Sequence, residues 1–157
     1  MKDLLIHAQT MAALSRILES HAHAFLFMGP EGAGKMTVAK AFIAEKLHAS
    51  KLDNYPYFSS IKPEKNAITI EQIRNLQRFL QLKTAGKHAV RRGVVIEDAH
   101  LMTIEAQNAL LKSLEEPPAD TVIALTAIAS PNIKPTIISR VQVTEILPVD
   151  EDSAVRY

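Results

Sequence analysis

The fold is decided by residues 24–36, which read AFLFMGPEGAGKM. Five apolar residues come before a glycine-rich turn, and the residues after the turn have the spacing of a helix that faces a core. A phosphate loop has this strand–turn–helix setting and the pattern Gly, four residues, Gly, Lys, then Ser or Thr. Seven of the eight positions from Gly29 to Met36 comply. The stretch therefore predicts a phosphate-binding turn at the carboxyl end of a buried strand.

The turn contains the parts that phosphate binding requires. Glycines let successive backbone N–H groups turn inward around an anion, and a lysine at a helix N-terminus adds positive charge. A purely structural glycine turn is the alternative that the pattern leaves open. The residues predicted to contact a nucleotide are Gly29, Pro30, Glu31, Gly32, Ala33, Gly34, Lys35, Met36 and Thr37.

The eighth position of the loop departs from the pattern. Met36 offers a thioether where a hydroxyl normally binds Mg²⁺, and a hard cation prefers oxygen ligands. Thr37 would replace that hydroxyl only through a shift in register. The sequence therefore predicts a loop that can hold ATP and disfavours a firmly held Mg²⁺.

A second candidate site element is the apolar run at residues 94–98, VVIED. Phosphate-loop ATPases place carboxylates after such a strand, where they hold the metal and orient water. The usual order is Asp and then Glu, whereas this chain has Glu97 and then Asp98. A misplacement of about 1 Å costs on the order of a hundredfold in rate. Both acids are candidate catalytic residues and Glu97 is the candidate metal ligand; an acid pair that only stabilises a helix N-terminus is the alternative.

The rest of the chain alternates strand-length apolar runs with helical periodicity, which is typical of helices packed on a parallel sheet. Thr69 and Gln72 predict a capping box, and Thr103 predicts the cap of the next long helix. The predicted strands are 24–28, 56–61, 93–97, 121–127 and 141–147; the predicted helices are 9–20, 35–48, 69–82 and 103–116, with a helical turn at 135–139.

Composition narrows the class of protein further. The chain has 157 residues, a formal net charge of +1 and no cysteine, which excludes disulfides, thiolate zinc sites and cysteine nucleophiles. No apolar run is long enough to span a bilayer, so we expect a cytoplasmic protein without membrane contact. The six histidines show no ligand spacing and are predicted to be packing or surface residues.

One segment, 83–92, is strongly basic and reads KTAGKHAVRR. It holds four Lys or Arg residues, one His and no acid. A solvated loop is the usual meaning of such a run, and contact with DNA or another phosphate partner is the alternative.

The stretch 108–118, NALLKSLEEPP, closely resembles the bacterial clamp-loader AAA+ family, which comprises the gamma/tau and delta-prime subunits of DNA polymerase III. The resemblance covers nearly the whole chain and is far more specific than the phosphate loop. It extends to HAFLF at 23–27, ITIEQIRNLQRFLQLK at 68–83, IEDAHLM at 96–102 and PTIISRVQ at 135–142.

The resemblance implies an α/β fold with three layers, in which helices flank a parallel five-stranded sheet of order 5-1-4-3-2. It implies ATP at the carboxyl ends of the central strands, with Thr126 at the position of the family's sensor threonine. Arg140 corresponds to the arginine finger that points at the ATP of a neighbouring subunit. Without the flanking match, a single arginine after a helical turn is more often a surface residue or a salt-bridge donor. The implied partners are other clamp-loader subunits and, through the assembled complex, the sliding clamp and primer–template DNA.

Departures from the family refine the expected role. The cysteine-rich zinc module is replaced by HASKLDNYPYF at 48–58, so no zinc is expected. Residues 1–148 are predicted to form the nucleotide-binding subdomain and residues 149–157 the start of a helical lid, with Asp150 as a possible cap. The rest of the helical lid is absent, which predicts that ATP binds weakly. The end of the chain there predicts a fragment of a longer gene product.

Three functions remain open at this point. The defects at Met36 and at Glu97-Asp98, beside an intact Arg140, favour a delta-prime-like subunit that hydrolyses ATP poorly or not at all. An active gamma/tau-like motor would use Thr37 or water in place of the missing ligand. A free-standing interaction module with the same fold is the third alternative.

Overall fold

Strands and helices alternate along the chain as predicted. The computed structural model describes residues 5–129, 132–149 and 154–156, the last range by its backbone alone. A short 3-10 helix, Ala99–Leu101, follows the fourth strand. The other elements are β1 (Leu5–His7), α1 (Ala8–Leu18), β2 (Ala24–Met28), α2 (Lys35–Lys46), β3 (Phe58–Ile61), α3 (Ile70–Leu80), β4 (Arg92–Ile96), α4 (Ile104–Glu115), β5 (Thr121–Ala127), α5 (Pro135–Ile138), β6 (Gln142–Glu145) and β7 (Ala154–Arg156).

The main sheet has the order β3-β4-β5-β2-β6, with every neighbouring pair parallel. The prediction did not include β1, so it numbered β2 as strand 1 and β6 as strand 5. Read from β6 to β3, the observed sheet has the predicted order 5-1-4-3-2. Consecutive side chains of a strand point to opposite faces, so Phe25 and Phe27 join one apolar cluster and Leu26 joins the other. The first cluster is covered by α1 and α2, the second by α3 and α4, which confirms three layers.

Both predicted caps form. The Thr69 hydroxyl accepts from the Gln72 N–H at 3.5 Å, and the Gln72 side chain accepts from the Thr69 N–H at 3.0 Å. The Thr103 hydroxyl accepts from the Ala106 N–H at 3.2 Å at the start of α4. These bonds satisfy N–H groups that the first helical turns leave unpaired, so local sequence fixes where both helices begin.

The helix predicted from residue 149 onward is wrong over the part of that segment that is described. Residues 154–156 form β7, which pairs antiparallel with β1, a strand that the periodicity did not predict. A single possible cap is a weak helix signal, and backbone pairing with a distant strand outweighs it in so short a segment. Asp150 lies outside the described residues. The division into a domain over 1–148 and a lid from 149 stays a prediction.

The basic segment 83–92 is only in part a solvated loop. Arg92 is 1% exposed and donates to the backbone carbonyls of Leu80 and Leu82. Arg91 donates to the Thr84 hydroxyl at 3.0 Å. Both guanidinium groups lie near Asp120, at 3.5 and 3.6 Å. Two of the four cationic residues therefore anchor the segment to the sheet.

Asp120→Asn should weaken this anchor in a pH-dependent way. Burial alone would raise the pKa of Asp120, but the Thr84 hydroxyl and the charge of Arg92 outweigh it, so the pKa lies below its ordinary value. The carboxylate therefore contributes stability above its unfolded pKa of about 3.9, and that contribution is lost as the pH falls through the folded pKa. We expect Asp120→Asn to cost about 2 kcal/mol at pH 7, the worth of a hydrogen bond to a charged group.

Urea unfolding of both proteins between pH 7 and pH 3 measures this difference. The difference in unfolding free energy between wild type and variant should narrow as the pH falls below the unfolded pKa of about 3.9. Asp53→Asn, a change at an exposed acid, serves as the control. A gap that stays constant across the pH range would contradict an ionic role for Asp120.

Candidate functional site

The glycine-rich turn adopts the backbone that anion binding requires. Gly32 and Gly34 have φ values of 76° and 77°, in the left-handed region that glycine enters without steric cost. Gly34 is the N-cap of α2, so the first N–H groups of that helix are free of intrahelical partners. The turn joins the end of β2 to the start of α2, which confirms the strand–turn–helix setting.

Lys35 lies inside the turn rather than on the surface. Its residue is 8% exposed, and its ammonium donates to the backbone carbonyl of Pro30 at 2.7 Å. The lysine therefore already spans the loop, with its charge beside the N–H groups that would surround a phosphate.

A cleft of about 520 Å³ opens beside the turn, a size typical of small-molecule sites. It brings together the loop and the two other predicted site elements, because the carboxyl ends of β2, β4 and β5 lie side by side. Gly29, Pro30 and Ala33 are absent from its lining. The predicted residues that line it are Glu31, Gly32, Gly34, Lys35, Met36, Thr37, Glu97, Asp98 and Thr126.

Thr126 fixes the turn that carries the acids. Its side chain is buried, and its hydroxyl accepts a hydrogen bond from the Asp98 N–H at 3.1 Å. Asp98 has φ 49° and ψ 50°, a left-handed conformation that aspartate tolerates better than most residues. The hydroxyl hydrogen of Thr126 stays available to a further acceptor, so this threonine can both shape the acid turn and contact a ligand.

The oxygen ligands of the cleft fit a hard cation only in part. Glu97, Asp98 and Thr37 bring oxygens to the lining, but Met36 lies half-buried against the apolar cluster beneath the loop. Across the described ranges, no group of three or more His, Cys, Asp or Glu residues is placed to hold a metal ion. The two carboxylates are suitable ligands for Mg²⁺, whereas the thioether of Met36, directly after Lys35, is not.

Arg140 lies outside this cleft, just after α5. Its guanidinium forms an ion pair with Glu115 at 2.6 Å and donates to the Thr136 carbonyl at 2.9 Å. The arginine side chain is 34% exposed and that of Glu115 48%. The group is thus held at the surface in an ion pair that water can reach.

The buried amide of Gln107, on α4, connects the cleft to the arginine segment. Its nitrogen donates to the carbonyls of Met102 and Asn132, and its oxygen accepts from the Lys134 N–H at 2.9 Å. Met102 ends the turn that begins with the two acids, and Lys134 is the N-cap of α5. The Gln107 side chain therefore ties the end of the acid turn, at Met102, to the start of α5, at Lys134.

Four residues of the cleft were missed by sequence reasoning. Asn66 belongs to a tight turn closed by the pairing of Glu64 with Ala67, and its φ is 63°. The histidines lack metal-ligand spacing, but that test says nothing about a single hydrogen-bond donor such as His100. Its position two residues after Asp98 was the signal available. The four residues are Asn66, His100, Leu101 and Ile128.

No helix in the described part of the chain combines the length and the hydrophobicity needed to cross a bilayer.

Comparison with known proteins agrees with the motifs. Residues 6–150 match the family described as DNA polymerase III, delta subunit. The subunit delta' of Pseudomonas aeruginosa is 36% identical over 138 residues, covering 76% of this chain and 42% of that protein. The subunit tau of Bacillus subtilis is 31% identical over 136 residues, covering 77% of this chain and 24% of that protein.

A solved structure extends the likeness to three dimensions. A DNA polymerase III gamma subunit-related protein from Thermotoga maritima superposes with a TM-score of 0.76 and 27% identity, covering 92% of this chain and 47% of that one. The chain thus spans less than half the length of each of these relatives. The resemblance drawn from the motifs is confirmed.

Proposed function

Because the chain belongs to the DNA polymerase III delta-subunit family of clamp-loader AAA+ proteins, we propose that it acts as a delta-prime-like subunit with a degenerate ATP site. In this role it assembles with other clamp-loader subunits and meets the sliding clamp and primer–template DNA through the complex. Since the chain spans under half of its relatives, these partners belong to the proposal.

Met36 is the observation that carries the proposal. It occupies the first turn of α2, directly after Lys35, where phosphate loops use a hydroxyl to bind magnesium. Its side chain packs against the apolar cluster. A thioether is a poor ligand for a hard cation, so the site retains its phosphate-binding backbone and lacks one of the groups that hydrolysis requires.

The remaining cleft residues bind more readily than they catalyse. The loop N–H groups and Lys35 contact the phosphates, while Thr126 holds the backbone of Asp98. A bound Mg²⁺ would neutralise phosphate charge, with Glu97 and Asp98 as its candidate carboxylate ligands in the cleft. Their reversed order places each carboxylate about one methylene from the usual reach, so nucleotide binds weakly and turns over slowly or not at all.

Arg140 supplies the active part of the role. It lies outside the cleft of its own chain. At the surface, both side chains of its ion pair with Glu115 are partly exposed to water. Exposed ion pairs contribute only about 0–1 kcal/mol, so a neighbouring nucleotide phosphate competes easily for the guanidinium. The subunit thereby supports hydrolysis in an adjacent motor.

An active gamma/tau-like motor is the second candidate function. Thr37 lines the cleft, and a tau subunit is among the relatives. In that case Thr37 or water takes the place of the missing hydroxyl.

ATP turnover by the full-length protein separates the two candidates. We expect wild-type turnover to equal that of Lys35→Ala, and Met36→Thr to bind ATP several-fold more tightly when Mg²⁺ is present. Met11→Thr is the matched control, because Met11 packs on the same apolar cluster outside the cleft. Brisk magnesium-dependent turnover by the wild type would contradict the degenerate site and favour the motor.

A further inference from the structure

His100 lies in the nucleotide cleft and has no role in the proposed function so far. It sits on the 3-10 helix Ala99–Leu101, which follows the acid pair, and it lines the same cleft as Lys35 and Asp98. The residue is half-buried and lines the cleft.

The two nitrogens of the ring have different surroundings. Nδ1 is buried and has no hydrogen-bond partner among the described residues. Nε2 is not among the buried unpaired atoms, and no bond to it is formed within the same ranges, so it is the nitrogen that reaches solvent. Buried polar atoms without partners are rare in folded proteins, and each calls for an explanation such as a functional role.

The position of the ring proton follows from this arrangement. A neutral imidazole carries one N–H and one bare nitrogen, and a buried N–H without an acceptor is the rarer kind of unpaired group. The proton therefore belongs on Nε2, the nitrogen that reaches solvent. His100 thus presents a hydrogen-bond donor to the space beside the phosphate loop.

The chemistry of the cleft indicates what this donor meets. A phosphate-loop lysine reaches the terminal phosphates, and the acids after β4 face that end of the nucleotide. His100 lies on the same turn, two residues after Asp98, and lines the same cleft. Resting on the proposed nucleotide site, we propose that His100 donates from Nε2 to the terminal phosphate of a bound nucleoside triphosphate and so favours triphosphate over diphosphate.

A ligand-binding histidine and a structural one predict opposite effects on stability. Removal of a structural histidine weakens the fold. Replacement of a histidine whose buried nitrogen has no partner leaves the stability of the fold unchanged or raises it, provided that the new side chain has a similar volume. His100→Phe keeps a ring and removes both nitrogens, whereas His100→Gln keeps a donor.

Calorimetric titration of the chain with ATP and with ADP, beside urea unfolding, tests the inference. We expect His100→Phe to bind ATP about tenfold to a hundredfold more weakly, the worth of one hydrogen bond to a charged group, with ADP affinity and stability unchanged. His100→Gln should recover part of the ATP affinity. His21→Phe, a change at an exposed histidine outside the cleft lining, should bind both nucleotides like the wild type.

Each other outcome overturns the inference. An equal loss of affinity for ATP and for ADP in His100→Phe would place the contact away from the terminal phosphate. A loss of stability with an unchanged ratio of ATP affinity to ADP affinity would make His100 a structural residue. If the wild type binds neither nucleotide, the proposed nucleotide site fails together with this inference. If the wild type binds both and His100→Phe keeps their ratio, this inference alone fails.

Discussion

Gly29→Ala should destabilise the chain by about 3 kcal/mol and abolish nucleotide binding. A Cβ atom at Gly29 would lie 2.3 Å from the carbonyl oxygen of Ile146, closer than any real contact. Neither backbone can retreat, because Gly29 donates to the Ala127 carbonyl at 3.1 Å and Ile146 donates to the Met28 carbonyl at 2.6 Å. The clash must therefore separate strands or distort the start of the phosphate loop.

Gly32→Ala is the matched control for this change. Gly32 has a φ of 76°, but a Cβ there would meet nothing within 4 Å. Its cost should be limited to backbone strain, about 1–2 kcal/mol. Urea unfolding and ATP titration of both variants separate the effect of the steric clash at Gly29 from that of backbone strain at Gly32. Equal costs at the two positions would contradict the claim that packing against Ile146 makes Gly29 necessary.

The sequence alone could predict those parts of the fold that depend on neighbouring residues. The capping box at Thr69 needs only residues three apart, and the buried strand before the loop shows in five consecutive apolar residues. The strand order came from the family resemblance carried by residues 108–118. Once that order is known, β2, β4 and β5 adjoin, so Lys35, Glu97 and Thr126 must meet at one cleft.

Contacts between distant residues could not be predicted in the same way. The hydroxyl of Thr126 holds the backbone of Asp98 across 28 positions of sequence, and no local pattern indicates it. Arg92 belongs to a run that reads as solvated, yet the sheet buries it beside Asp120. His100 shows the same limit, because its unpaired nitrogen becomes visible only when the surrounding chain is in place.

Arg140→Ala should lower hydrolysis at the adjacent subunit's site by on the order of a thousandfold, as expected for loss of an arginine finger. The fold should tolerate the change, because the ion pair with Glu115 is exposed and contributes at most about 1 kcal/mol. DNA-dependent ATP hydrolysis of the reconstituted clamp loader measures the effect. Single-turnover conditions are needed, since sites that do not border this subunit continue to hydrolyse ATP.

Three further variants separate a finger from a surface ion pair. Arg140→Lys keeps the charge but loses the planar fork that binds phosphate through two N–H groups, so it should restore little activity. Glu115→Ala breaks the same ion pair and leaves the arginine free, so it should retain full activity. Arg74→Ala removes an exposed arginine of α3 that is paired with Glu71 and should also have no effect.

The contrast between Arg140→Ala and Glu115→Ala decides the interpretation. Both changes break the same 2.6 Å contact, so any effect of that contact on folding or on the position of α5 should appear in both. Only the arginine change removes a cation that can reach a neighbour. Equal activity of the two variants would make Arg140 an ordinary surface residue. Loss in Arg140→Ala alone, with urea unfolding unchanged by removal of the bond to the Thr136 carbonyl, indicates that the guanidinium acts outside its own chain.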